Sequence, residues 1–168
     1  MPMRNIVVAT DFSAPADLAL TRALAVARQH EAHLTIAFAE TPTETASFTP
    51  EAEVAALELS SLQQELTAYE ERELAARVAR AAEAGVAATG VRKTGAPDDA
   101  IAELARELDA GLIVCGTHGR TGVRRFFLGS VAERLSRLAH KNVLVARGPA
   151  GDGRFHKVLV ATDFAQAA

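Results

Sequence analysis

The sequence predicts an α/β domain: a doubly wound, parallel sheet of five strands with helices on both faces. Short β-branched runs alternate with helical patterns along the 168 residues, which is the signature of successive βαβ units. Three of the runs are nearly continuous apolar, as parallel strands covered on both faces are. Composition agrees, because 49% apolar against 23% charged residues is enough to bury a core. With 5% aromatics and no Trp, that core is aliphatic.

The first strand is Asn5–Thr10 (NIVVAT). Ser13 then opens a helix over Ala16–His30, where Leu20, Leu24 and Ala27 recur at helical spacing. The second strand is His33–Ala39, and Thr41–Thr49 (TPTETASFT) is a polar, Pro-containing loop. Pro50 marks a helix start, and Glu51–Ala84 is rich in Ala, Leu and Glu, with Leu59, Leu62 and Leu66 in one stripe and Gly85 as its stop. The third strand is Val86–Val91. Pro97 opens Asp98–Leu108, whose face carries Ile101, Leu104 and Leu108, and Gly111 ends it. The fourth strand is Gly111–Cys115; Ser130–Ala139 is a helix bearing Val131, Leu135 and Leu138; the fifth strand is Asn142–Ala146. The first, fourth and fifth strands read as central, the mixed second and third as nearer an edge.

Several function classes are excluded or disfavoured. Eighteen Lys and Arg against 21 Asp and Glu leave a net charge of −3, which provides no global field for nucleic acid or an anionic membrane. The longest apolar runs, such as Leu112-Ile113-Val114-Cys115, fall far short of the roughly 20 residues that span a bilayer. The N-terminus shows no signal-peptide pattern, so a cytoplasmic location is expected. A single cysteine, Cys115, excludes an internal disulfide and a multi-thiolate metal cluster. His30-Glu31-Ala32-His33 misses the zincin spacing by one residue, so no metal site is expected there.

One repeat stands out. Val8-Ala9-Thr10-Asp11-Phe12 recurs unchanged at Val160-Ala161-Thr162-Asp163-Phe164, 152 residues on. Residues 1–148 therefore read as one domain, and 149–168 as a linker (Pro149–Gly153) plus the first strand of a truncated second copy. A lone strand cannot bury its own faces and should seek a sheet edge, in its own subunit or a neighbour.

The candidate chemistry follows the fourth strand. Gly116-Thr117-His118-Gly119 is followed by nine residues and then by Gly129-Ser130, which opens the last helix. Glycines let several backbone N–H groups converge on an anion, and a helix N-terminus adds unpaired N–H groups and a partial positive charge. Arg120, Arg124 and Arg125 raise the local potential, and His118 sits in the same loop, where it either touches a phosphate or faces solvent. No Gly-Lys pair occurs, so an ordinary P-loop is excluded. In doubly wound sheets ligands bind beyond the carboxyl ends of the strands where strand order reverses, which brings in Asp11 after the first strand. Ser130 and Glu133 also have the spacing of a capping box.

Gly-x2-Gly-x9-Gly-Ser after the fourth strand, together with Ala9-Thr10-Asp11-Phe12-Ser13 after the first, resembles the universal stress protein family, most of all its ATP-binding branch. The resemblance covers Met3 to Arg147. It implies strand order 3-2-1-4-5 and a homodimer through the edge strand Asn142–Ala146. It implies ATP, with or without Mg²⁺, whose phosphates lie on Gly116, Gly119, Gly129, Ser130 and the Val131 backbone. Asp11 and Ala39 would surround the adenosine, with Thr10 and Cys115 lining base or ribose and Arg120 beside the phosphates. The family usually shows a His-Val pair at the end of the second strand; here Phe38-Ala39 stands there, which gives adenine less contact and changes the wall.

The expected function is a dimeric, ATP-binding regulatory module of the stress response, acting on an unidentified protein partner, with slow or no hydrolysis. Two alternatives are weighed. An enzyme cleaving ATP between its α and β phosphates would want a Ser-Gly-Gly-rich loop after the first strand, where this chain has Asp11-Phe12-Ser13-Ala14-Pro15. A pure interaction module, whose dimer surface matters and whose loop is a relic, would fit the Phe38-Ala39 departure and the truncated repeat.

Overall fold

The computed structural model describes residues 3–41, 50–117, 129–149, 151, 153 and 155–161, and the side chains of these except 50–58. The element order is β1 (Asn5–Thr10), α1 (Ala14–His30), β2 (His33–Glu40), α2 (Pro50–Glu83), β3 (Ala88–Thr94), α3 (Pro97–Glu107), β4 (Leu112–Gly116), α4 (Ser130–Leu138) and β5 (Asn142–Ala146). All five strands are parallel in the order β3-β2-β1-β4-β5. Strand alternation then decides the two cores. Ile6, Val8, Leu34, Ile36, Phe38, Leu112 and Val114 face α1 and α2, while Val7, Ala37, Ile113 and Cys115 face α3 and α4. Each fully buried aliphatic chain contributes about 1.5–3 kcal/mol. Both faces are covered, as a parallel sheet requires.

Three expectations need correction. The continuous apolar run of β5 reads as central, yet β5 is an edge strand, while the mixed β2 is buried from Leu34 to Phe38. Composition reports how well the faces are covered, and α1 and α4 both reach β5, so the two are not distinguished by it. β3 starts at Ala88 rather than Val86 and continues to Thr94. Val86 is instead a core plug beyond the left-handed Gly85 (φ 73°), its N–H donating to the Ala81 carbonyl at 2.9 Å. Arg92 and Lys93 belong to the strand because β2, α2 and α3 supply their counter-charges: Arg92 pairs with Glu40 of β2 and Glu70 of α2, and Lys93 with Glu107 of α3.

The third correction concerns α2. At 34 residues it is about 51 Å long, whereas the eight residues of β2 span about 26 Å. Among the described side chains of α2, Leu74 and Ala81, towards its C-terminal end, are buried in the core, with Val78 packed against it. Leu59, Leu62 and Leu66, half a helix earlier, are 50–56% exposed, and Leu138 of α4 is exposed as well.

Candidate functional site

The chain order reverses between β1 and β4, so the carboxyl ends of these strands form the crevice where a ligand would bind. Two loops define it. The first is the turn from β1 into α1. Thr10 ends β1 buried, and its Oγ1 accepts the Phe12 N–H at 3.0 Å. Asp11 Oδ1 accepts both the Ser13 N–H (3.1 Å) and the Ser13 hydroxyl (2.5 Å). Ser13 in turn caps α1, accepting the Ala16 N–H at 3.4 Å, as the sequence predicts.

Between them Phe12 adopts φ 65°, a left-handed conformation uncommon for a bulky side chain. Its surroundings fix it there. The ring stacks on Phe38 (4.8 Å, 24°), meets Tyr69 edge-on (6.2 Å) and lies 4.9 Å from the guanidinium carbon of Arg77. Arg77 is buried, bonded to Asp17 and Glu73, and donates to the Phe12 carbonyl at 3.4 Å. Sequence reasoning missed this cluster. The signal was a charged residue within the Leu74–Val78–Ala81 core stripe, where an arginine needs partners. The cluster also corrects the expected role of Phe38: its ring faces α1 and α2 and supports the Asp11 turn, while Ala39 faces the α3/α4 side.

The second loop joins β4 to α4. Gly116 ends β4, and a Cβ there would stand 2.8 Å from the carbonyl carbon and oxygen of Pro15. The glycine is therefore required by the close approach of the first turn of α1, whatever it binds. At the far end, Gly129 is the N-cap of α4, with φ −64° and ψ 152° and no side-chain cap. Its N–H donates to the Thr117 carbonyl at 2.7 Å, which clasps the two ends of the loop together. The expected capping box is absent: Ser130 is the first helical residue and Glu133 pairs with Arg137 instead. With glycine at the cap, the intrahelical bonding begins at the Glu133 N–H, leaving the Ser130, Val131 and Ala132 amides without an intrahelical acceptor. Ser130 is exposed; Val131 is half-buried against the α3/α4 core.

Of the predicted site residues, Thr10, Asp11, Gly116, Gly129, Ser130 and Val131 therefore lie in or beside the two loops at this edge, and Ala39 is the last residue but one of the neighbouring β2. Gly119 and Arg120 lie outside the described residues, as do His118, Arg124 and Arg125. Cys115 is placed differently. The residue is 4% exposed within the α3/α4 core, and burial pushes its thiol pKa up to about 11, the setting of a small buried hydrophobe.

The profile of the Universal stress protein family matches residues 2–147. The chain belongs to the universal stress protein family. It is 35% identical over 153 residues to a universal stress protein homologue of Staphylococcus aureus strain USA300, covering 86% of this chain and 84% of that one. A universal stress protein of Methanocaldococcus jannaschii is 51% identical over only 55 residues, about a third of each chain. Among solved structures, the universal stress protein UspA from Lactobacillus plantarum superposes with a TM-score of 0.73 at 27% identity, covering 88% of this chain and 99% of that one. A universal stress protein in complex with cAMP superposes with a TM-score of 0.58 at 28% identity, covering 86% and 97%. Universal stress proteins thus include relatives that bind adenine nucleotides on this fold.

Proposed function

We propose that the chain is an ATP-binding regulatory module whose nucleotide phosphates lie on the α4 N-terminus and whose adenosine lies between Asp11 and Ala39. The observation that carries this reading is the uncapped start of α4. With glycine at its N-cap, α4 has no cap side chain over its first turn, so among the described residues the Ser130 and Val131 N–H groups take neither a cap nor an intrahelical hydrogen bond that an anion would have to displace. The phosphate bonds would go to the Ser130 and Val131 amides and the Ser130 hydroxyl. The Gly129 amide is already bonded to Thr117, so it would have to exchange partners to take part. The relative in complex with cAMP supports an adenine nucleotide as the class of ligand.

Hydrolysis would be slow or absent. Asp11 is the carboxylate nearest by position, and its Oδ1 is occupied by both donors of Ser13, so it is engaged as a turn anchor rather than as a water-positioning base. The free edge of β5, uncharged from Asn142 to Ala146, would carry the homodimer. Acid release of nucleotide from the purified protein, followed by calorimetric titration with ATP and Mg²⁺, tests the reading. Micromolar binding without turnover supports it; no carried nucleotide and no heat at millimolar ATP overturns it.

A second reading is favoured by one observation. Leu59, Leu62, Leu66 and Tyr69 form a half-exposed stripe on α2, a surface fit for a protein partner independent of nucleotide. Replacing Gly129 by Val would leave function in the cell intact under that reading and abolish it under the first.

A further inference from the structure

One peptide unit of the β1–α1 turn is held at both ends. Its carbonyl, that of Phe12, accepts from Arg77 Nη2 at 3.4 Å. Its amide, that of Ser13, donates to Asp11 Oδ1 at 3.1 Å. A trans peptide is a rigid plane whose C=O and N–H point in opposite directions, and no peptide among the described residues is cis. Whatever fixes the Phe12 carbonyl therefore fixes the Ser13 N–H, and with it the Asp11 oxygen that this N–H holds. The Ser13 hydroxyl donates to the same oxygen.

Arg77 is built to be the fixed point. It is buried on the face of α2 that packs on the sheet. Its Nε and Nη2 both bond to Asp17 Oδ1, at 3.0 and 2.9 Å, and Nη1 bonds to Glu73 Oε2 at 2.6 Å and to the Glu73 carbonyl at 3.1 Å. A planar guanidinium with all three nitrogens engaged keeps one orientation, so α1 (Asp17) and α2 (Glu73) together aim Nη2 at Phe12. The Phe12 backbone needs such an outside hold, because a phenylalanine does not keep φ 65° by itself. Replacing a whole buried ion-pair set by apolar side chains is commonly neutral for stability, so stability alone does not call for an arginine here. What an apolar side chain lacks is a donor for the Phe12 carbonyl.

We infer that Arg77 is a positioning residue for nucleotide binding: from α2, through the Phe12–Ser13 peptide, it sets the Asp11 carboxylate against the nucleoside. The inference rests on the place proposed above for the adenosine and assigns what orients the carboxylate there. It divides the site into two halves held by different parts of the fold. The phosphate seat is built by the β4–α4 loop and the first turn of α4, whereas the nucleoside half depends on a side chain of α2.

Calorimetric titration tests this with two probes, ATP and inorganic tripolyphosphate, which offers phosphates without a nucleoside. The proteins are the native chain, Arg77→Met, Arg77→Lys, Asp11→Ala, and Asp11→Ala combined with each change at Arg77, all kept well below their melting temperatures. Arg77→Met is expected to bind ATP about tenfold more weakly, the loss of roughly one hydrogen bond to a charged group. Arg77→Lys is expected to lose about threefold, because an ammonium keeps the charge without the fork. Tripolyphosphate is expected to bind all of them alike. In the Asp11→Ala background either change at Arg77 is expected to alter ATP affinity by less than about twofold, since a residue that acts through Asp11 has nothing left to act on.

Losses that multiply in the double variants overturn the inference, because Arg77 then contributes independently of Asp11. Native ATP affinity in Arg77→Met overturns it too, as does equal weakening of ATP and tripolyphosphate; each of these results leaves the nucleotide site standing. Native ATP affinity in Asp11→Ala removes the carboxylate from the site and overturns the inference with it. No ATP binding by the native chain overturns both the inference and the reading it rests on. Should Arg77→Met not fold, the Arg77→Lys pair decides by the same comparisons.

Discussion

The guanidinium carbon of Arg77, on α2, lies 4.9 Å from the centroid of the Phe12 ring, in the turn between β1 and α1. Phe12 sits at φ 65°, a conformation that costs of order 1–3 kcal/mol for such a residue and persists only where the surroundings over-determine it. Arg77 supplies that constraint from three directions: the ring, the Phe12 carbonyl, and carboxylates on both α1 (Asp17) and α2 (Glu73). The turn so held is the one that carries Asp11.

Replacing Arg77 by Met is expected to destabilise the fold by about 2–4 kcal/mol, since it strands two carboxylates and releases the strained turn. Arg77→Lys should recover only part of this, because an ammonium cannot serve Asp17, Glu73 and the Phe12 carbonyl at once. Urea denaturation of the two variants measures the difference. Equal stability of all three proteins would show that the cluster is incidental.

Gly116→Ala should destabilise by about 1–3 kcal/mol through overpacking, because the new methyl meets the Pro15 backbone and not a movable side-chain end. For a chain of this size each kcal/mol shifts Tm by roughly 2–4 °C. A thermal melt in the absence of nucleotide isolates this packing role from any contribution to binding.

Leu62→Gln and Leu66→Gln should each change stability by less than about 0.5 kcal/mol, because both side chains stand at least half exposed. Leu74→Ala, on the same helix but in the core, should cost about 2–5 kcal/mol. Urea midpoints across this set test where α2 meets the sheet.

Much of the architecture is legible in the residues. Ile6-Val7-Val8 and Ile113-Val114 announce buried parallel strands, and Leu20, Leu24, Ala27, Ile101 and Leu104 all lie in the core as their spacing indicates. Gly116 and Gly129 stand where the sequence puts them, at the two ends of the β4–α4 loop. What the sequence conceals is pairwise and three-dimensional. Leu59, Leu62 and Leu66 have core spacing, but periodicity does not report that the helix outruns the sheet it packs on. The Ser130–Glu133 spacing matches a capping box, yet the helix begins at Ser130, one residue too early for its hydroxyl to cap. Arg77 becomes informative only when Phe12 and Asp17 are known to be beside it.

Cys115 should resist alkylation at neutral pH in the folded protein and react once the chain unfolds, because the thiolate is the nucleophile and burial raises the thiol pKa from 9.0 to about 11. The folded state holds this proton more tightly than the unfolded chain, so the associated stability is complete below pH 9. It is lost as pH rises toward about 11, by on the order of 2 kcal/mol. Iodoacetamide labelling and urea midpoints at pH 8 and 10.5, compared with Cys115→Ala, measure both effects.

The most direct trial of a phosphate seat at the start of α4 is calorimetric titration of ATP into the native chain, Ser130→Ala and Ser130→Pro. Proline is tolerated at the first helical position, and Gly129 already has the extended backbone that precedes it, so Ser130→Pro deletes one amide while the helix remains. The native chain should bind ATP at micromolar concentration, Ser130→Ala a few-fold more weakly, and Ser130→Pro about tenfold more weakly still, with melting temperatures in the absence of nucleotide unchanged. Equal ATP affinity in Ser130→Pro and the native chain, or no binding by any of the three, would contradict the assignment.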